Sequence, residues 1–187
     1  MCPLGTPEEI VLSLGSLRRP PCVKGSQMSL SQPGIGVQIL SSLATHRAHR
    51  GTYCTENDCI VVLNRLLRAF TEVPGGRRRQ AGFRSRRLDN YAGRPTNDHV
   101  VPIREIITRL FHLDSVEIHR ANIDALVHML RESLVICSIT SDENTKLTSA
   151  GLRQYMPFGW GVPGHPYEND AWARYKHVGI HHDIVPV

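Results

Sequence analysis

Lysine is scarce in this sequence and aromatic residues are few. Lys24, Lys146 and Lys176 are the only lysines among 22 lysine and arginine residues, and phenylalanine, tryptophan and tyrosine make up 6% of the chain. No apolar run reaches the roughly 20 residues that a membrane-spanning helix needs, so a helical membrane protein is excluded and no membrane partner is expected. The five cysteines (Cys2, Cys22, Cys54, Cys59, Cys137) are odd in number and never stand in a C-x-x-C pair. That pattern speaks against a disulfide framework and against a zinc ribbon. The G-x-x-x-x-G-K phosphate loop, the G-x-S-x-G elbow and the H-E-x-x-H metal helix are also missing, which sets aside the nucleotide hydrolases, serine hydrolases and metalloproteases built on them.

What remains is an arginine-rich chain of 187 residues with a formal charge of +5. That length suits one domain with a real core. Residues 1–34 are rich in proline, glycine and serine, with "RRPP" and "QPGIG" as breaks. They hold one short helical candidate, capped by Thr6 with Pro7 and Glu9 behind it, and read as a flexible extension. Glu8 and Glu9 precede the apolar run here and Arg18 and Arg19 follow it, the reverse of an export leader. A cytoplasmic protein is therefore expected, with Met28 as an alternative start to Met1.

From residue 35 to 187 the pattern predicts a single mainly helical α+β domain. Val37, Ile39, Leu40 and Leu43 mark a first helix. Thr55, with Asp58 three residues on, caps a second, in which Cys59, Leu63, Leu66, Leu67 and Phe70 recur at helical spacing. Further on, Ile103, Ile106, Ile107, Leu110 and Phe111 mark a helix with Pro102 in its first turn, and another runs from about Ser115 to Glu132. "LVICSIT" is a short β-branched strand at about 134–139. Thr140 and Glu143 form the capping box of a helix that turns Leu147 and Ala150 inward and stops at Gly151. In the tail a brief helix is expected from Asp170 to Lys176, and Trp160, Trp172 and Tyr175 are expected to pack it onto the body.

Charge is uneven along this plan. Between Gly75 and Arg94 lie Arg77, Arg78, Arg79, Arg84, Arg86, Arg87 and Arg94 against one acid, Asp89, a local surplus of six. So dense a like-charge cluster repels itself, and an external polyanion is the expected neutraliser. Guanidinium binds phosphate oxygens bidentately, and Phe83 and Tyr91 lie in the same segment, as suits contact with DNA or RNA. An acidic protein partner, bound by a non-catalytic regulatory or adaptor domain, is the alternative.

The stretch "RPTNDHVVPI" is open to two readings. In one, Asp98 caps the coming helix, His99 is a half-buried polar residue and Pro102 fits the first turn. In the other, the stretch carries chemistry. "DHVVP", followed at a distance by an asparagine and a polar helix, resembles the His-Asn-His endonucleases of the ββα-metal class. The resemblance implies a strand ending in the Asp-His pair, His99 as the base that activates water, and Asp98 as a ligand of Mg²⁺ or Mn²⁺. It implies Asn122, and then His128 or Asn144, as the remaining members. Hydrolysis of a phosphodiester needs such a base and such a cation, and carboxylate and amide oxygens suit both metals. Asn122 and His128 depart from the family in falling within a helical run. Other histidines promise less: Gly179 interrupts "HVGIHH", and Arg47 and Arg50 flank His46 and His49.

Overall fold

The computed structural model describes residues 30–73, 77–78, 81–114 and 117–187. The Thr6 helix, the start at Met28 and the side chains of Arg77, Arg78 and Arg79 lie outside the described residues.

Helix α1 (Gln32–Ala48) begins earlier than expected. The Ser31 hydroxyl accepts from the Gly34 amide at 3.2 Å, and Pro33 is tolerated because amides in the first turn have no intrahelical partner. "QPGIG" is thus the first turn of a helix and not a break. Ile35, Ile39, Leu40 and Leu43 turn inward, while Val37 points to solvent. In α2 (Glu56–Phe70) the Thr55–Asp58 capping box forms as expected. With α3 (Ile103–Phe111) and α4 (Arg120–Ser133), these helices enclose a first apolar core. Helix α4 comes close enough to α1 that a β-carbon on Gly36 would meet Val127 Cγ2 at 3.3 Å.

Beside this bundle lies a four-stranded sheet in the order β4-β5-β3-β6. Its strands are β3 (Phe83–Ser85), β4 (Thr96–His99), β5 (Ile136–Ile139) and β6 (Ile184–Pro186). The pair β4·β5 is antiparallel, β3·β5 parallel and β3·β6 antiparallel. A separate antiparallel pair joins β1 (Glu72–Val73) to β2 (Arg77–Arg78). Only β5 is legible from apolar patterning. A second core, Val100, Cys137, Ile139, Leu147, Leu152, Tyr175 and Ile180, packs against the sheet. It is closed by α5 (Ser141–Ser149) and α6 (Ala173–His177), the latter starting later than the expected Asp170. Ala150 is exposed rather than inward, because the helix has already ended there and Gly151 takes φ +73°. Tyr175 is fully buried and Trp172 meets Phe83 edge-on at 5.0 Å, so these two aromatics do pin the tail to the body. No helix among the described residues is long and apolar enough to cross a membrane.

The two cores meet where β4 ends. Successive residues of an extended chain point to opposite sides, and here Val100 enters the second core while Val101 enters the first. The Asp98–His99 pair therefore stands at the seam between bundle and sheet.

Candidate functional site

Asp98 does not cap α3. That helix has no side-chain cap, and its first position follows Pro102. Asp98 belongs instead to β4, opposite Cys137, with His99 opposite Ile136. Its carboxylate is gripped from α6: the Tyr175 hydroxyl donates to Oδ2 at 2.8 Å, and the Arg174 guanidinium pairs with the same oxygen. Arg174 is 1% exposed, and each of its three nitrogens donates. Nε donates to the Val100 carbonyl at 2.8 Å, Nη1 to the Leu152 carbonyl at 2.9 Å, and Nη2 also to the His99 carbonyl. One buried cation thus fixes the end of β4, the residue after it and the turn that follows α5.

Burial pushes the Asp98 carboxyl above its ordinary range, and the Arg174 charge and the hydrogen bonds from Tyr175 and Arg174 offset this only in part. Burial, then the neighbouring carboxylate, raises the Tyr175 phenol well above its usual value, so it stays a hydrogen-bond donor.

Helix α5 reaches the same place from the other side. Thr140 caps it, and Glu143 completes the box while also accepting from Ser85 Oγ at 2.7 Å, which ties the helix start to β3. Glu143 is fully buried. One residue on, Asn144 faces a cleft of about 670 Å³ that it shares with Asp98, His99 and Asn97. Ile60, Ile103, Ile107 and Phe111 give the cleft an apolar side, Arg68, Arg104 and Arg153 supply positive charge, and Glu56 adds a second carboxylate to that of Asp98. Asn97 Oδ1 already accepts from Ser138 Oγ at 2.7 Å.

Of the residues that the resemblance implies, Asp98, His99 and Asn144 line one cleft, and Asn122 and His128 do not. Asn122 sits on α4, where its amide donates to the Glu117 carbonyl at 2.8 Å, and His128 is exposed on the same helix, 3.4 Å from Glu132. Neither lines the cleft. The reason is topological: α3 and α4 stand between β4 and β5, and only when β5 returns antiparallel to β4 does the chain bring α5 back to the Asp-His pair.

The arginine-rich segment is partly neutralised from within. Arg84 pairs with Asp89, and Arg87 lies 2.6 Å from Asp183 and 3.8 Å from Glu143. For these two, carboxylates of the same fold already meet the charge. Arg86 and Arg94 are exposed and meet no carboxylate among the described residues. The surplus that faces a cavity is carried by Arg68, Arg104 and Arg153, which density along the sequence does not reveal because each stands apart from the cluster.

Among the described residues no three His, Cys, Asp or Glu side chains are grouped to hold a metal. A closed zinc-type cage is therefore not built from them. The donors at the cleft, the Asp98 carboxylate and the Asn144 amide oxygen, are hard oxygens. Oxygens of this kind are what Mg²⁺ or Mn²⁺ take, in ones or twos, with water and substrate phosphate completing the shell, although Asp98 Oδ2 is already held by Arg174 and Tyr175. The chain matches no protein-family model, no curated protein and no solved structure.

Proposed function

We propose that the protein binds nucleic acid across this cleft and hydrolyses its phosphodiester bonds with a divalent cation. The observation that supports the reading is the convergence on one cavity of the His99 imidazole, the Asp98 and Glu56 carboxylates, side-chain amides that include Asn144, and three guanidinium groups. A phosphodiester asks for each of these: a base to take the proton from water, oxygen ligands for a cation, and fixed positive charge for the phosphate oxygens. In this scheme the His99 imidazole would take the water proton, and Asp98 and Asn144 would hold the metal. Arg68, Arg104 and Arg153 seat the backbone. When bound, the cation supplies charge stabilisation at the scissile phosphate.

Nucleic-acid contact thereby moves from the 77–94 segment to the cleft, with Arg86 and Arg94 as outlying contacts. The test is affinity for DNA and RNA measured against salt in the presence of chelator. Affinity is expected to fall log-linearly with salt, with a slope set by the phosphates contacted. Arg104→Ala and Arg153→Ala are each expected to shallow that slope by about one. Absence of retention at low salt ends the reading. Retention of an acidic protein but not of nucleic acid would replace it with the adaptor alternative.

A further inference from the structure

Directly after α5 the chain runs along the cleft and then turns outward. Arg153 and Gln154 line the cavity, and the next residue, Tyr155, is 48% exposed with its ring under the Arg104 guanidinium, 4.9 Å from centroid to Cζ. Three residues further, Phe158 is 90% exposed, more than any other large hydrophobic side chain among the described residues.

A frayed loop does not explain that exposure. Pro157 and Gly159, on either side of Phe158, are both buried. The Trp160 amide donates to the Pro157 carbonyl at 3.1 Å and the Val162 amide to the Gly159 carbonyl at 3.1 Å. Gly159 has φ +93°, and a β-carbon there would overlap the His165 imidazole, so the turn accepts only glycine. The Met156 amide reaches the Glu105 carboxylate of α3 at 3.4 Å. A well-made turn therefore buries its flanks and holds one phenyl ring largely in water, with only an edge-on approach to the His165 imidazole at 6.1 Å beside it.

The position of the two rings says what they meet. Four residues from Gln154 to Phe158 span at most about 14 Å of chain, so the exposed ring lies within the reach of a strand seated on the cleft arginines. A guanidinium stacked on an aromatic ring beside a basic cavity is the arrangement that receives unstacked bases, whose π-faces pack on aromatic side chains while their phosphates meet the arginines. Resting on the nucleic-acid reading above, we propose that Tyr155 and Phe158 form a stacking platform for unpaired bases. The substrate class of the cleft is then single-stranded or locally unpaired nucleic acid rather than continuous duplex.

Fluorescence anisotropy of the full chain tests this with short labelled single strands and the matching duplex, DNA and RNA alike, in chelator so that nothing is cleaved. Wild type is expected to bind the single strands more tightly than the duplex. Phe158→Ala and Tyr155→Ala should each lose roughly 5- to 150-fold on single strands, the range of one lost base stack, and little on duplex. Phe158→Trp and Tyr155→Phe should retain binding. Phe158→Ala should also leave the salt slope unchanged, since a stacked base releases no counterion. The ring is exposed, so loss of folding does not confuse the Phe158 result.

If Phe158→Ala binds single strands like wild type while Arg104→Ala and Arg153→Ala weaken every polymer, the platform is refuted and the cleft reading stands. If wild type binds no polymer, both fall. If the substitution instead removes vesicle binding or self-association, the ring serves a membrane or a second copy of this chain, and the platform is likewise refuted.

Discussion

The grip of Arg174 on Asp98 makes a double-substitution cycle unusually informative. Replacing Arg174 by methionine removes a buried guanidinium that satisfies three carbonyls and one carboxylate. It leaves Asp98, only 18% exposed, with the Tyr175 hydroxyl as its remaining donor of the two. Breaking a buried ion pair from one side costs about 3–5 kcal/mol, a large share of the roughly 5–15 kcal/mol that holds a domain together. Asp98→Asn is milder. It leaves Arg174 its three carbonyl acceptors and an amide oxygen in place of the carboxylate, so about 1–3 kcal/mol is expected. In the Arg174→Met background the same change removes the stranded charge and should be neutral or stabilising. Chemical denaturation of the four proteins in chelator measures this, with the double variant expected to be about 1–3 kcal/mol more stable than the sum of the singles. Equal cost of Asp98→Asn in both backgrounds would show that the two side chains are not coupled and refute the reasoning.

Two further outcomes follow from the same geometry. Burial raises the Cys59 thiol to about 11 and the Cys137 thiol to about 12. Since the thiolate is the reactive form, neither should be alkylated in the native protein at about pH 8. Their rates should climb with pH toward those values, whereas full labelling after unfolding, read by peptide mass mapping, is expected at once. Rapid native labelling of Cys137 would contradict its burial. In a cleavage assay, Asn144→Ala should lose activity while Asn122→Ala and His128→Ala keep it; the reverse ranking would place the site elsewhere than the cleft.

Local signals were readable and distant ones were not. Thr55 with Asp58 and Thr140 with Glu143 announce helix starts because capping is settled within four residues. Strands β3 and β6 escape notice because "FRS" and "IVP" are too short to show alternation, and their pairing partners lie far along the chain. Asp98 is misread as a cap for the same reason: the residue that occupies it, Arg174, lies 76 positions downstream, and no local pattern marks an arginine between Ala173 and Tyr175 as buried. The ββα resemblance implies that the Asp-His pair closes a strand, and β4 does end there. Its antiparallel neighbour β5 follows only after α3 and α4, which is why Asn144 and not Asn122 arrives at the cleft. Arginine density drew attention to 77–94, where two guanidinium groups are matched internally, and away from Arg68, Arg104 and Arg153.

The most direct test of the whole account is single-turnover cleavage of labelled DNA and RNA by wild type and His99→Ala with Mg²⁺ or Mn²⁺ and with chelator. Metal-dependent cleavage by wild type, reduced by about 10²- to 10⁴-fold in His99→Ala, is the expected result. Equal rates in the two proteins, or no cleavage of either polymer with either metal, would contradict it.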